Sequence, residues 1–194
     1  MKLDATTVTK VIFDFIEHHI PGKRALLCGT SMGGWVAMIY SSVYPEHIIG
    51  IILNGCLINT QTWKFGIGIS AMKMVLMIDE QTRVHMAYKF LEKDLGEVKA
   101  KEIISGGLFY ECWGEMWDMI GKCDFIHYIS MVNAPILFLL TDKDTNNLNE
   151  KEFLDAARNY KRVLRKGGHS YAIENPEMFA VDVHLFISEK ILSS

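Results

Sequence analysis

The sequence predicts an α/β fold, a mostly parallel sheet flanked by helices. Three observations carry that expectation. Ile48 to Leu53 and Pro135 to Leu140 are continuous apolar runs, the pattern of strands buried on both faces of a parallel sheet. Segments with apolar residues at helical spacing separate the strand-like runs. A glycine-rich turn, Gly29-Thr30-Ser31-Met32-Gly33-Gly34, joins an apolar strand to an apolar helix. Strands that alternate with helices need crossover connections, and those make the sheet parallel.

The elements follow in order. Val8, Val11, Ile12, Phe15 and Ile16 fall on one face of a helix over 5–19, which Pro21-Gly22 ends. Ala25 to Cys28 reads as a short buried strand. The helix after the glycine turn carries Trp35 to Tyr40 and runs to about Tyr44, where Pro45 stops it. Asn149 with Glu152 resembles a capping box and opens a helix through about Tyr160. Arg162 to Leu164 makes a last short strand. From Pro176 an amphipathic helix carries Phe179, Val183, Phe186 and Ile187. Residues 57–130 break the rhythm, with three of the four tryptophans, many methionines and mixed helical patterns. They read as an inserted helical cap between two core segments, 1–56 and 131–194. Most of the cap's large apolar residues suit its own core. Trp63, Met74, Trp113 and Trp117 are the candidates for an adaptable substrate pocket.

Bulk properties narrow the function classes. The 194 residues suffice for one domain with a substantial core. A net charge of −3 gives no electrostatic reason to expect nucleic acid. No apolar run approaches a membrane span, and the polar start does not read as a signal peptide. Cys28, Cys56, Cys112 and Cys123 show no CxxC spacing and lie in apolar surroundings, so they read as buried free thiols in a reducing, cytoplasmic setting.

The chemistry starts at the glycine turn. Gly29-x-Ser31-x-Gly33 fits the nucleophile elbow, a strained turn that lifts a serine off a strand end. A Cβ at the flanking glycines is expected to collide across that turn. Ser31 has a second reading, as a simple helix N-cap. A serine nucleophile needs a base within reach, and the base needs a partner that fixes its tautomer. Asp142 and Asp144 follow one apolar strand, and His169 follows the last strand in Gly167-Gly168-His169. Open α/β sheets place their sites at such strand ends. His18, His19, His47, His85, His127 and His184 sit in helices, in the cap or at the opposite sheet end.

These motifs together resemble the α/β-hydrolase superfamily, in its order of serine, acid, histidine. Gly29-Thr30-Ser31-Met32-Gly33-Gly34 is similar to the family's Gly-His-Ser-Met-Gly-Gly. Ala134 to Asp144 resembles its strand ending in Gly-Glu-x-Asp, with Thr141 and Asp142 in place of Gly-Glu. Gly168-His169-Ser170 with Glu174, Pro176 and Phe179 resembles its closing motif. The resemblance implies Ser31 as nucleophile, Asp144 as acid, His169 as base and two-step acyl transfer, with no metal or organic cofactor. The backbone N–H of Met32 is one oxyanion donor. The fold is then α/β-hydrolase-like and N-terminally truncated: the family's loop with the second oxyanion donor has no counterpart before Gly29. The strand at 25–28 becomes an apolar sheet edge, which invites pairing with another copy in a homo-oligomer.

Two function classes follow. The first is a carboxylesterase-like serine hydrolase acting on a small-to-medium, apolar acyl compound. The second is a catalytically silent member that serves as a binding module. The ordered Ser31, Asp144 and His169 favour the enzyme.

Overall fold

The computed structural model describes residues 4–107 and 113–192. Four strands form one fully parallel sheet in the order β1 (Ala25–Thr30), β2 (Ile48–Asn54), β3 (Ile136–Thr141), β4 (Tyr160–Arg165). Helix α1 (Ala5–His19) precedes β1, and α2 (Met32–Val43) connects β1 to β2. Between β2 and β3 run α3 (Trp63–Val75), α4 (Glu80–Ser105), α5 (Trp113–Lys122) and α6 (Phe125–Met131). Helix α7 (Glu150–Ala156) joins β3 to β4, and α8 (Tyr171–Glu174) and α9 (Pro176–Lys190) close the chain.

The continuous apolar runs have a simple reason. Side chains alternate across a strand, and both faces of this sheet are covered. Ile51, Leu53, Ile136, Phe138 and Leu140 join the larger core with Trp35, Met38 and Tyr40 of α2 and Phe125 and Ile129 of α6. Ile52, Leu137 and Leu139 point the other way, against Tyr171 and Phe186. Arg165 at the end of β4 forks onto the buried carboxylate of Asp182 in α9, which pins that helix to the second face.

Helix starts follow their caps. The Asp4 carboxylate accepts from the Thr7 N–H at 2.8 Å, and Asp79 accepts from the Thr82 N–H at 2.9 Å. Asn149 departs from the capping-box expectation. Its side chain accepts from the Asn59 N–H and donates to Glu152, so it ties two loops together and makes no cap hydrogen bond. The helix it opens ends at Ala156 and does not reach Tyr160. Tyr160 pairs with Ile136 in the sheet, and its ring meets Phe138 at 5.6 Å, so tertiary pairing overrides the local helical pattern.

Strand β1 is also a correction. It is longer than expected, and as an edge strand it is half-buried, leaving Cys28 exposed. Cys56 and Cys123 are buried free thiols as expected, and Cys112 lies outside the described residues. No helix among the described residues is long and apolar enough to cross a membrane.

Candidate active site

Because the strands are parallel, their C-terminal ends lie on one side, and each delivers a residue there. Ser31 follows β1, Gly55 follows β2, Asp144 follows β3 and His169 follows β4.

Ser31 holds φ 54° and ψ −121°, a backbone conformation that residues other than glycine rarely adopt. Its N–H donates to the Asn54 carbonyl at 2.8 Å, and its own carbonyl accepts from the Gly34 N–H at 3.0 Å. The turn closes only because the backbone segments touch. A Cβ on Gly29 would meet the Gly34 nitrogen at 2.5 Å and the Gly33 carbonyl closer still. A Cβ on Gly34 would meet Cys56 Cβ at 2.9 Å. Gly33 differs from the expectation: it lies on the exposed first turn of α2, and a Cβ there meets nothing within 4 Å. The Ser31 hydroxyl makes no cap hydrogen bond, so the simple N-cap reading does not describe it. Met32, 42% exposed, is the first residue of α2, where a backbone N–H lacks an intrahelical acceptor.

Asp144 and His169 are brought together. His169 Nδ1 lies 3.0 Å from Asp144 Oδ2, with the carboxylate side chain 1% exposed and the imidazole 19%. The other carboxylate oxygen accepts from the Asn146 N–H at 2.8 Å. Asp142 does a different job: its Oδ1 accepts from the Gly167 N–H at 3.0 Å and shapes the loop that carries His169. The other histidines stand apart. His47 is buried between Tyr40 and Glu17 at the start of β2, and His18, His19, His85, His127 and His184 are exposed.

Ser31 and His169 share no hydrogen bond among the described residues, but the end of β2 links them. Asn54 holds the Ser31 N–H, and Gly55, with φ +61°, abuts the acid–histidine pair. A Cβ on Gly55 would sit 2.6 Å from Asp144 Oδ2 and 2.8 Å from His169 Nδ1. Gly55 and Asn146 were not singled out by motif. An Asn-Gly pair at a strand end is a turn signal that flags Gly55. Asn146 carries no comparable signal. Cys56, next in the chain, is no rival nucleophile: burial, with Asp144 nearby, pushes its thiol far above the usual range.

A cavity of about 510 Å³ opens beside the pair, lined by Phe90, Lys93 and Asp94 of α4 and by Lys143, Asn146, Gly168, His169 and Glu174 among others. None of the four apolar pocket candidates lines it. Trp63 and Met74 are 72% and 67% exposed, while Trp113 and Trp117 pack against the main core. Among the described residues no group of three or more His, Cys, Asp or Glu side chains is placed to hold a metal ion.

Solved structures with the same architecture are numerous. A bromoperoxidase from Bacillus anthracis superposes with a TM-score of 0.80 at 20% identity, over 96% of this chain and 75% of that one. A thermophilic esterase from Thermogutta terrifontis gives 0.78 at 14%, over 98% and 74%. An α/β-hydrolase from a Medee basin deep-sea metagenome gives 0.77 at 17%, over 97% and 74%. No curated protein matches the sequence. The family model described as serine aminopeptidase, S33, matches residues 4–175. With its parallel sheet and its serine turn, the chain belongs to the serine aminopeptidase S33 family of α/β-hydrolases.

Proposed function

We propose that the protein is a serine hydrolase that cleaves a small-to-medium, apolar acyl ester through an acyl-enzyme. The observation that carries this reading is the buried Asp144–His169 hydrogen bond, at the same sheet end as a serine in a strained turn. His169 takes the proton from the Ser31 hydroxyl as the oxygen attacks the ester carbonyl. The proton then passes to the leaving alcohol. Asp144 keeps the Nδ1 proton in place and stabilises the imidazolium. A water activated by His169 releases the acid and restores Ser31. The Met32 N–H is the oxyanion donor from the elbow.

Residues 57–130 serve as the cap in this reading. Their support is α4, whose Phe90, Lys93 and Asp94 reach the cavity beside His169. The preference for an apolar acyl group rests on the methionines and tryptophans of α3 and α5. A series of p-nitrophenyl esters of increasing chain length reads that preference directly.

The decisive test is a fluorophosphonate probe with mapping of the adduct. Labelling at Ser31, abolished by His169→Ala, is the expected result. Folded protein that takes no label overturns the hydrolase and leaves the binding-module reading. The outer edge of β1 is unpaired among the described residues, and this supports association between copies. A solution mass of more than one chain is expected at micromolar concentration, and a clean monomer refutes it.

A further inference from the structure

The imidazole of His169 is 19% exposed and borders the cavity. The Asn146 side chain lies against it. The Asn146 amide nitrogen is 3.0 Å from His169 Nδ1 and 3.4 Å from Nε2. An atom in the ring plane at both distances would collide with Cε1, which lies between the two nitrogens. The amide therefore sits over the ring face. There it leaves both in-plane positions free: Nδ1 keeps Asp144, and Nε2 keeps its lone pair for a proton.

We infer that Asn146 is a positioning residue that clamps the His169 ring and keeps it in the neutral, Nδ1-protonated form a base requires. The assignment rests on the hydrolase reading for its purpose, though its effect on the ring does not. Two contacts from one residue make the clamp. The backbone N–H of Asn146 holds Asp144 Oδ1 at 2.8 Å, so acid and ring are fixed from the same short loop. The amide N–H edge carries positive charge, and against a ring face it opposes the imidazolium. The other charged groups around the same cavity are Lys93, Asp94, Lys143 and Glu174, with Asp144 on Nδ1.

The test uses the intact protein with ¹⁵N-labelled histidine and long-range ¹H–¹⁵N correlation, with His169 assigned by His169→Ala. Wild type is expected to show the Nδ1–H tautomer. Asn146→Leu keeps the bulk and removes the N–H, and should raise the His169 midpoint by about half a pH unit. Asn146→Asp places a carboxylate on the face and should raise it by about one unit or more. The acid limb of fluorophosphonate labelling should move upward with each midpoint. An unchanged midpoint in Asn146→Leu overturns the assignment. If the midpoints move while wild type takes no label, Asn146 keeps its role on the ring and the hydrolase reading falls instead.

Discussion

Asp144→Asn should slow acylation of Ser31 by about 10⁴-fold, while Asp142→Asn should leave it within a few-fold of wild type. The first effect follows from the two hydrogen bonds at Asp144. One carboxylate oxygen accepts from the Asn146 N–H and the other faces His169 Nδ1. An asparagine has a single oxygen, and the backbone N–H of Asn146 claims it. The amide NH₂ then faces Nδ1, which must present a lone pair. The ring proton moves to Nε2, and the ring can no longer take a proton from serine. Asp142 uses one oxygen to accept from the Gly167 N–H, a bond that an asparagine carbonyl retains. Rates of fluorophosphonate inactivation, compared at equal thermal stability, check both. Equal losses in the two variants would reject Asp144 as the acid.

The fold was legible where the physics is local and periodic. The runs at Ile48 and Pro135 had to be buried on both faces, and the two cores on either side of the sheet take up Ile48, Ile51, Ile52 and Leu53 of the first and Ile136 to Leu140 of the second. The helix stops before Pro21 and before Pro45 came from proline. What escaped was set by neighbours remote in sequence. Tyr160 belongs to a strand because Ile136 and Phe138 lie beside it, 24 and 22 positions earlier. Cys28 is exposed because nothing pairs with the outer side of β1 among the described residues, whatever its local hydropathy. The site divides in the same way. Ser31, Asp144 and His169 carry motifs because each sits in a turn with its own residue requirements. Asn146 acts through a contact with a residue 23 positions on, and no spacing rule marks it. The apolar pocket candidates show the opposite failure. Their composition was informative, but exposure at Trp63 and Met74 depends on how α3 lies, which composition does not set.

Gly55→Ala should lower the acylation rate by about 100-fold or more, because small displacements of reacting groups carry penalties of that size. Gly22→Ala is the control that isolates the cause. Both glycines hold positive φ, +61° and +74°, so alanine at either adds backbone strain of about 1–2 kcal/mol. Their surroundings differ. A Cβ on Gly22 meets nothing within 4 Å, whereas on Gly55 it lands 2.6 Å from Asp144 Oδ2, 2.8 Å from His169 Nδ1 and 2.9 Å from Cε1. Urea melts should therefore show a loss from strain in both and a further loss from the overlap in Gly55→Ala, and only Gly55→Ala should lose acylation. Wild-type acylation by Gly55→Ala would mean that the pair tolerates displacement and that its geometry does not limit the reaction. Asp144 has little room to retreat, with its side chain 1% exposed and its second oxygen held by the Asn146 N–H. The displaced group must then be His169, whose imidazole borders the cavity. Asn54, the preceding residue, holds the Ser31 N–H, so the end of β2 supports the proposed nucleophile on one side and its proposed base on the other. A single methyl group at that junction separates them.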